Sequence, residues 1–325
     1  MEQGRFGSVD DLKIGLALAA GGARGSAHTG VMKVLDREGI SVSAIAGSSI
    51  GAIVGAAHAA GIPVSEVEQE WREDMLAKVA RSFLPTLSLA GLSSGKEKRK
   101  VLQGLLGDHR IEDLKIPFAA VACDIDTGEA VVIDRGPLID AVQASASIPG
   151  IFEPVRVGGR LLVDGGLVEP LPVRACRELG ADFVIAVDIV PTLRPTSEAS
   201  RNVWGRVGTQ LREDLSRQTW LPASLAELLE HLFQKRPRRK RPLPGLYSIL
   251  NQSVVILERE ILRLKLIKDP PDLLIRPDLV LTPMSYLRAS EGIRAGEDAA
   301  KAALPELKRC LTERSEASRR DAGRS

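Results

Sequence analysis

The chain is poor in aromatic residues, in cysteine and in long apolar runs, and each shortage excludes a class of protein. Aromatic residues make up 3% of its 325 positions, which is too few for a base-stacking platform that binds nucleic acid. The cysteines lie far apart, and their spacing argues against a disulfide framework and against a zinc site. No apolar stretch approaches the ~20 residues that a transmembrane helix needs. The cysteines are Cys123, Cys176 and Cys310.

The net charge of the chain is also small. The formal charge is +2 at pH 7, so no overall attraction to nucleic acid or to an anionic membrane is expected. The first residues, MEQGRFGSVDDLK, lack the basic region and apolar run that are typical of a secretory signal. Because the isolated cysteines also suit a reducing compartment, we expect a cytoplasmic protein.

Short apolar runs alternate with helical patterns along most of the chain. Such alternation is typical of an α/β layer fold with a largely parallel sheet, so the predicted fold class is α/β. We predict one domain over residues 13–311, with flexible tails at 1–12 and 312–325. The runs predicted to form strands are 13–19, 43–47, 118–124, 130–133, 160–164, 183–189 and one within 270–281.

Residues 192–247 are rich in Arg, Pro and Ser and are predicted to form an insertion in this domain. Within it, WLPASLAELLEHLFQKRPRRKR (220–241) carries one apolar helical face, followed by six basic residues within 235–241. One interpretation is a lid or an anchor that contacts anionic membrane, where each basic residue contributes about 1 kcal/mol. The other is a core-packing helix with a solvated loop. The basic run is short and lacks interleaved aromatic residues, so we expect no nucleic-acid partner.

LALAAGGARGSAHTG combines an apolar strand, a glycine turn and the start of a helix. Phosphate loops, dinucleotide sites and oxyanion holes all use such turns, because backbone N–H groups at a helix N-terminus point at negative charge. A Walker loop needs Gly-Lys before its Ser or Thr, but this chain has ARGS at 23–26. A dinucleotide fingerprint needs glycine at Ala20 and an acidic residue where GSS (47–49) stands. Nucleotide binding is therefore disfavoured.

The stretch GSSIG (47–51) places two serines between a predicted strand and an apolar helix. The nucleophile-elbow pattern G-x-S-x-G fits only with Ser49 at its centre, because Gly47 and Gly51 then flank it. Glycines relieve steric clashes in the strained turn. The helix that starts at Ile50 directs its N-terminal dipole at a developing alkoxide. We therefore predict Ser49 as the nucleophile.

A second stretch, GLSSG (91–95), satisfies the same pattern with Ser93 at its centre. The residues before it make a poor strand, and the polar KEKRK follows it in place of an apolar helix. The strand and helix that an elbow requires are both missing. Ser93 is therefore predicted to be a loop serine.

A serine that transfers acyl groups normally needs a base. None of the four histidines, His28, His58, His109 and His231, follows a late strand, where an α/β-hydrolase carries its catalytic histidine. A Ser-His-Asp triad is possible but not indicated. RLLVDGGLVEPLPV instead offers Asp164 at the end of a strand, and a carboxylate in a dry pocket accepts a serine proton directly. On local sequence alone, an ordinary Asp-Gly turn is the alternative.

Three motifs in chain order, AGGARG (20–25), GSSIG (47–51) and DGG (164–166), together resemble the patatin-like phospholipase family. ASIPGIFEPV (146–155) is similar to a segment that precedes the D-G-[GA] motif in that family. The resemblance is close over residues 13–190. It is looser after 245, where the chain looks like bacterial members related to the catalytic domain of neuropathy target esterase. It implies a three-layer α/β/α fold with a mostly parallel central sheet.

The resemblance also implies the roles of the site residues. Ser49 attacks the substrate and Asp164 accepts its proton, without a histidine, a metal or another cofactor. Gly165 and Gly166 complete the motif after the base. The loop implied to form and hold the oxyanion hole comprises Gly21, Gly22, Arg24 and Gly25.

The backbone N–H of Ile50 is a candidate additional donor to the oxyanion. The family usually has glycine at the position of Ala20, so the loop is strained if that residue needs a positive φ and tolerates alanine if it does not.

The expected function is that of a serine lipid acyl hydrolase, which cleaves phospholipid or lysophospholipid through an acyl-enzyme. Two alternatives remain: a non-catalytic adaptor with the same fold, and an acyltransferase that uses the same dyad. The presence of Ser49, Asp164 and the glycine loop together argues against the adaptor, since a binding protein does not need all of them.

Overall fold

The structure is a computed structural model that describes residues 12–73, 95–190, 246–279, 281 and 286–322. The chain divides into two compact units, residues 1–191 with 254–325 and residues 192–253. Residues 220–241, predicted to be a lid, a membrane anchor or a core-packing helix, lie outside the described residues. So does nearly all of the predicted insertion.

The described strands form one mixed sheet. They are β1 Ile14–Leu18, β2 Ala44–Ser48, β3 Phe118–Asp124, β4 Ala130–Ile133, β5 Val155–Val157, β6 Arg160–Asp164, β7 Phe183–Val187 and β8 Leu273–Ile275. Their order is β5-β6-β3-β2-β1-β7-β8, with β4 paired to β3. Neighbours along β3-β2-β1-β7-β8 are parallel, whereas the pairs made by β4, β5 and β6 are antiparallel.

The central strands are covered on both faces. Every residue of β1, β2, β3 and β7 is buried. Successive side chains of a strand point to opposite faces, so a strand without an exposed residue has packing partners above and below the sheet. This explains why these strands are continuous apolar runs, and it confirms the predicted three-layer α/β/α architecture.

Helices fill the connections between the strands. They are α1 Ser26–Arg37, α2 Ile50–Ala59, α3 Val64–Glu73, α4 Lys96–Leu106, α5 Leu138–Ser145, α6 Val173–Glu178, α7 Leu246–Lys268 and α8 Ala289–Ala322. α1 packs against α3 and α8, and α2 packs against α4 and α5. In the described ranges, no helix has an apolar stretch long enough to cross a membrane.

The last helix is longer than the sequence predicts. A flexible tail is expected from residue 312, but α8 continues through Ala322. Residues 306–321 contain neither glycine nor proline, and Arg309 forms an ion pair with Glu313 one turn further along the helix. Pro305 lies inside α8 and does not end it.

The ends of two strands meet beside β3, and this meeting creates the site. Parallel pairing of β2 with β3 ends with Ser48 opposite Val121. Antiparallel pairing of β6 with β3 reaches Asp164 opposite Ala122, the next residue. The carboxyl end of β2 and the carboxyl end of β6 therefore face each other, because their strands approach along β3 from opposite directions.

Candidate active site

Ser49 occupies a strained turn between β2 and α2. Its φ is 55° and its ψ is −120°, and among the described residues it alone has a positive φ without being glycine. Such a conformation costs of order 1–3 kcal/mol and is typical of functional sites. A side chain on Gly47 would collide with the backbone of Ala52, and one on Gly51 with the carbonyl of Leu18.

The two adjacent serines have different partners. Ser48 is fully buried, and its Oγ donates to the backbone carbonyl of Glu169 at 2.6 Å. Ser49 Oγ donates to Asp164 Oδ2 at 2.6 Å. Of the two, Ser49 has its hydroxyl on a carboxylate, which is the contact that a proton-accepting base must make.

Asp164 is held in an orientation that suits a base. Its second oxygen, Oδ1, accepts the N–H of Gly166 at 2.8 Å, which fixes the carboxylate plane. The residue is 7% exposed. Burial raises the pKa of Asp164 to about 6, although the hydrogen bonds from Ser49 and Gly166 and the charge of Lys98 act against that rise.

This raised pKa predicts a stability effect in Asp164→Asn. The folded pKa of about 6 exceeds the unfolded value of 3.8, so the carboxyl group's contribution to stability is full below pH 3.8 and is lost as the pH rises past 6. Wild type should lose ~1.5 kcal/mol of unfolding free energy from this group between pH 5 and pH 8. Urea titrations at both pH values should show a correspondingly smaller loss in Asp164→Asn, and equal losses would contradict the raised pKa.

A serine on α5 holds the backbone of the elbow. The N–H of Ser49 donates to Ser145 Oγ at 2.9 Å, and that hydroxyl donates to the carbonyl of Val121 at 2.6 Å. All of these groups are buried. The N–H of Ser49 is thereby occupied by Ser145 Oγ and is not available to a bound ligand.

The glycine loop forms a 3-10 helix over Gly22–Gly25 that leads directly into α1. Arg24 is 2% exposed, and its Nε donates back to the carbonyl of Gly21 at 3.0 Å. Burial lowers the pKa of Arg24 to about 10, whereas the charges of Glu258 and Asp188 raise it. This hydrogen bond holds the loop from within.

The loop packs directly against the start of α2. A Cβ on Gly25 would lie 2.2 Å from Cγ1 of Ile50, the residue after Ser49. Gly22 has a φ of 61°, a conformation that glycine adopts without strain. Ala20 does not have a positive φ, and its N–H donates to the carbonyl of Pro170 at 2.9 Å. Alanine at this position therefore does not strain the loop.

The described histidines, His28, His58 and His109, differ in their burial. His28 is fully buried, and its Nε2 donates to the carbonyl of Ala19 at 2.9 Å. Burial lowers the pKa of His28 to about 4. His58 is partly buried, and burial lowers its pKa as well; His109 is exposed. His231 and the alternative serine, Ser93, lie outside the described residues.

Two charged groups beside the dyad were not found from the sequence. Lys98 on α4 is buried, and its charge acts on Asp164. Glu258 on α7 is partly buried, with Oε1 3.1 Å from the position that a Cβ on Gly166 would occupy. Burial, together with the charge of Asp164, raises the pKa of Glu258 to about 7. No local pattern marks either residue, since both reach the site through tertiary packing.

The fold and the three motifs define a class of protein. Residues 16–177 match the family model described as patatin-like phospholipase, a range that contains the glycine loop, Ser49 and Asp164. This region of the chain belongs to the patatin-like phospholipase family. Among solved structures it is similar to VipD from Legionella pneumophila, with 14% identity, 91% of this chain and 67% of that chain covered, and a TM-score of 0.45.

Curated relatives carry names from the same family. An NTE family protein of Mycobacterium bovis, described as uncharacterized, is 40% identical over 193 residues, which cover 59% of this chain and 53% of that protein. Neuropathy target esterase of Drosophila melanogaster is 37% identical, over 54% of this chain and 13% of that protein. Patatin-like phospholipase domain-containing protein 7 of Rattus norvegicus is 36% identical over the same shares. The chain thus spans about half of the mycobacterial relative.

Proposed function

We propose that the protein is a serine lipid acyl hydrolase in which Ser49 is the nucleophile and Asp164 the general base. The observation that carries this proposal is the 2.6 Å hydrogen bond from Ser49 Oγ to Asp164 Oδ2, made at a turn whose backbone is strained. A binding protein has no need of a nucleophile held in this way on a buried carboxylate. Family membership supports a lipid hydrolase in general terms.

Acylation begins when Ser49 Oγ attacks the ester carbonyl carbon and its proton passes to Asp164 Oδ2. The carbonyl oxygen becomes an oxyanion, which we expect the N–H groups of Gly21, Gly22 and Ile50 to stabilise. Such donors are worth roughly 10²- to 10³-fold in turnover each. The C–O bond of the ester then breaks, and the alcohol leaves with the proton from Asp164.

Deacylation repeats these steps with water. Asp164, again a carboxylate, takes a proton from a water molecule, and the oxygen of that water attacks the carbonyl carbon of acyl-Ser49. The bond between Ser49 Oγ and the acyl carbon then breaks, the fatty acid leaves, and the proton on Asp164 passes to Ser49 Oγ. A base works best when its pKa lies near the working pH, so a pKa of about 6 for Asp164 suits a reaction at weakly acidic to neutral pH.

The proposed substrates are phospholipids and lysophospholipids. This assignment rests on the family and on the names of the relatives, one an esterase and one a phospholipase domain protein. The test is fatty-acid release by the purified protein from lysophosphatidylcholine and from phosphatidylcholine vesicles. Release supports the proposal. Acyl transfer to a second lipid as the main reaction would favour the acyltransferase, and no turnover on any ester would favour the adaptor.

The pH dependence of the proposed reaction follows from Asp164. Because the base must be ionised and its pKa is about 6, kcat/KM should fall about tenfold for each pH unit below 6. The measurement is initial-rate hydrolysis of a soluble short-chain ester from pH 4.5 to 8.5. Enzyme held at each low pH and then assayed at pH 8 controls for denaturation. A profile that stays flat down to pH 4.5 would contradict Asp164 as the base.

A further inference from the structure

Lys98 is a buried cation that the proposed mechanism does not yet use. It lies on α4 and is 6% exposed, the only buried lysine in the described part of the chain. Lysine is almost never buried without partners, because removing an ammonium group from water is costly. The surroundings of Lys98 must therefore stabilise a charge at this position.

Its partners lie at the carboxyl end of α5. Lys98 Nζ donates to the carbonyls of Gln143 and Ala146 at 3.1 and 3.0 Å and to Ser147 Oγ at 3.1 Å. It also lies 4.2 Å from the centre of the Phe152 ring. Three acceptors need three N–H groups, which only the ammonium form has. The negative end of the helix dipole and the ring face also favour a cation.

The same end of α5 holds both members of the dyad. Ser145 Oγ accepts the N–H of Ser49, as described above. The carbonyl of Ser147 accepts the N–H of Asp164 at 2.9 Å. Lys98 therefore binds, through Ser147 and its neighbours, the segment from which the nucleophile and the base are both positioned.

We propose that Lys98 is a positioning residue for the dyad: its ammonium group anchors the end of α5 and supplies the buried positive charge that keeps Asp164 ionised. This inference rests on the proposed function, since it gives Lys98 a role only if Asp164 acts as a base.

The charges around Asp164 support this assignment. Lys98, from α4, lowers the pKa of the carboxyl group, whereas burial raises it. Within the described residues, the other titratable groups whose charges interact with Asp164 are Glu258, from α7, and the thiol of Cys123, on the adjacent strand β3. In their ionised forms both are negative. Burial lowers the pKa of Lys98 to about 7, and the charge of Asp164 opposes this shift.

The experiment separates the charge of Lys98 from its hydrogen bonds. Lys98→Gln keeps N–H donors for the end of α5 but has no charge, and Lys98→Met has neither. Lys100→Met is the matched control, because Lys100 lies on the same helix, is exposed and pairs with Glu97. The readout is the pH at the midpoint of the acid limb of the kcat/KM profile. This midpoint does not depend on the fraction of the enzyme that is active, because a lower fraction scales the rates equally at every pH.

In wild type and Lys100→Met the limb should lie near pH 6. In Lys98→Gln and Lys98→Met it should move upward by about one pH unit, the lower end of the effect of a nearby opposite charge on a carboxyl pKa. Activity at pH 6 should then drop about fivefold, with little change at pH 8.5. A purely structural role would lower activity equally at every pH.

An unmoved limb in Lys98→Gln overturns the inference, and so does failure of both uncharged variants to fold while Lys100→Met folds. The proposed function is tested separately in the same assay. If Ser49→Ala hydrolyses the ester as well as wild type does, the dyad itself is wrong. If Ser49→Ala is inactive and Lys98→Gln keeps the wild-type limb, only the role of Lys98 is wrong.

Discussion

Replacing Ser49 with alanine is expected to lower ester hydrolysis by at least roughly 10⁴-fold, because the attacking oxygen is removed. The variant should fold, since the N–H of residue 49 can still donate to Ser145 Oγ. Fatty-acid release from lysophosphatidylcholine measures the loss. Labelling with a fluorophosphonate probe, followed by intact mass, shows whether the reactive oxygen has disappeared.

The neighbouring serine supplies the matched control. Ser48→Ala removes a buried hydroxyl that donates to the carbonyl of Glu169, so it should cost about 1–3 kcal/mol of unfolding free energy. It leaves the bond between Ser49 and Asp164 in place, and hydrolysis and probe labelling should persist. Loss of labelling in Ser48→Ala with full labelling in Ser49→Ala would reverse the assignment of the nucleophile.

Asp164→Asn tests the other half of the dyad. The amide is nearly isosteric but cannot accept the serine proton, and loss of a general base costs roughly 10²- to 10⁴-fold. The acid limb of the pH profile should disappear from whatever activity remains. A variant that keeps the limb near pH 6 would assign it to another group, with Glu258 the next candidate.

Local sequence was enough to predict most of the fold. Continuous apolar runs such as FAAVACD predict strands because central strands of this sheet are buried on both faces. β5, Val155–Val157, was not predicted: it has three residues, none of them buried. That β6 runs antiparallel to β3 was not predicted either. Strand direction depends on how the chain returns to the sheet, and a short apolar run carries no information about this.

The site residues also divide into those that local sequence indicates and those that it does not. Ser49, Asp164 and the glycine loop belong to motifs whose spacing requires a strained turn or a close approach, so the sequence alone indicates them. Lys98 lies within KEKRK, where nothing in the local sequence distinguishes it from the exposed Lys96 and Lys100 until α4 packs on α5. Glu258 lies on α7, far along the chain from the motif that it approaches. Neither residue has a local pattern, because its role depends on a contact between distant segments.

Gly165→Ala is the substitution expected to damage the described fold and the site together. A Cβ at this position would lie 2.0 Å from the carbonyl oxygen of Val121 and 3.0 Å from Ser48 Oγ. Backbone must move to relieve such a contact, so we expect a loss of about 3 kcal/mol or more in unfolding free energy. Urea denaturation measures this loss, and the same preparations serve for hydrolysis.

The effect on catalysis follows from where Gly165 lies. The carbonyl of Val121 that it touches also accepts the hydroxyl of Ser145, which holds the backbone of Ser49. Moving that carbonyl should therefore displace Ser49, the proposed nucleophile, and the added methyl group should displace the adjacent Asp164, the proposed base. A misplacement of about 1 Å costs roughly 10²-fold in rate, so the protein that remains folded should be at least that much slower.

Gly104→Ala is the matched control for Gly165→Ala, because it adds the same methyl group at a position that has room for it. Gly104 lies within α4, and a Cβ there would have no neighbour within 4 Å. A solvent-exposed helical alanine is more stable than glycine by about 0.5–1 kcal/mol, so this variant should unfold at higher urea and keep its activity. If Gly165→Ala matched it in both stability and rate, the close packing of β6 against β3 would not be what sets the distance between Ser49 and Asp164.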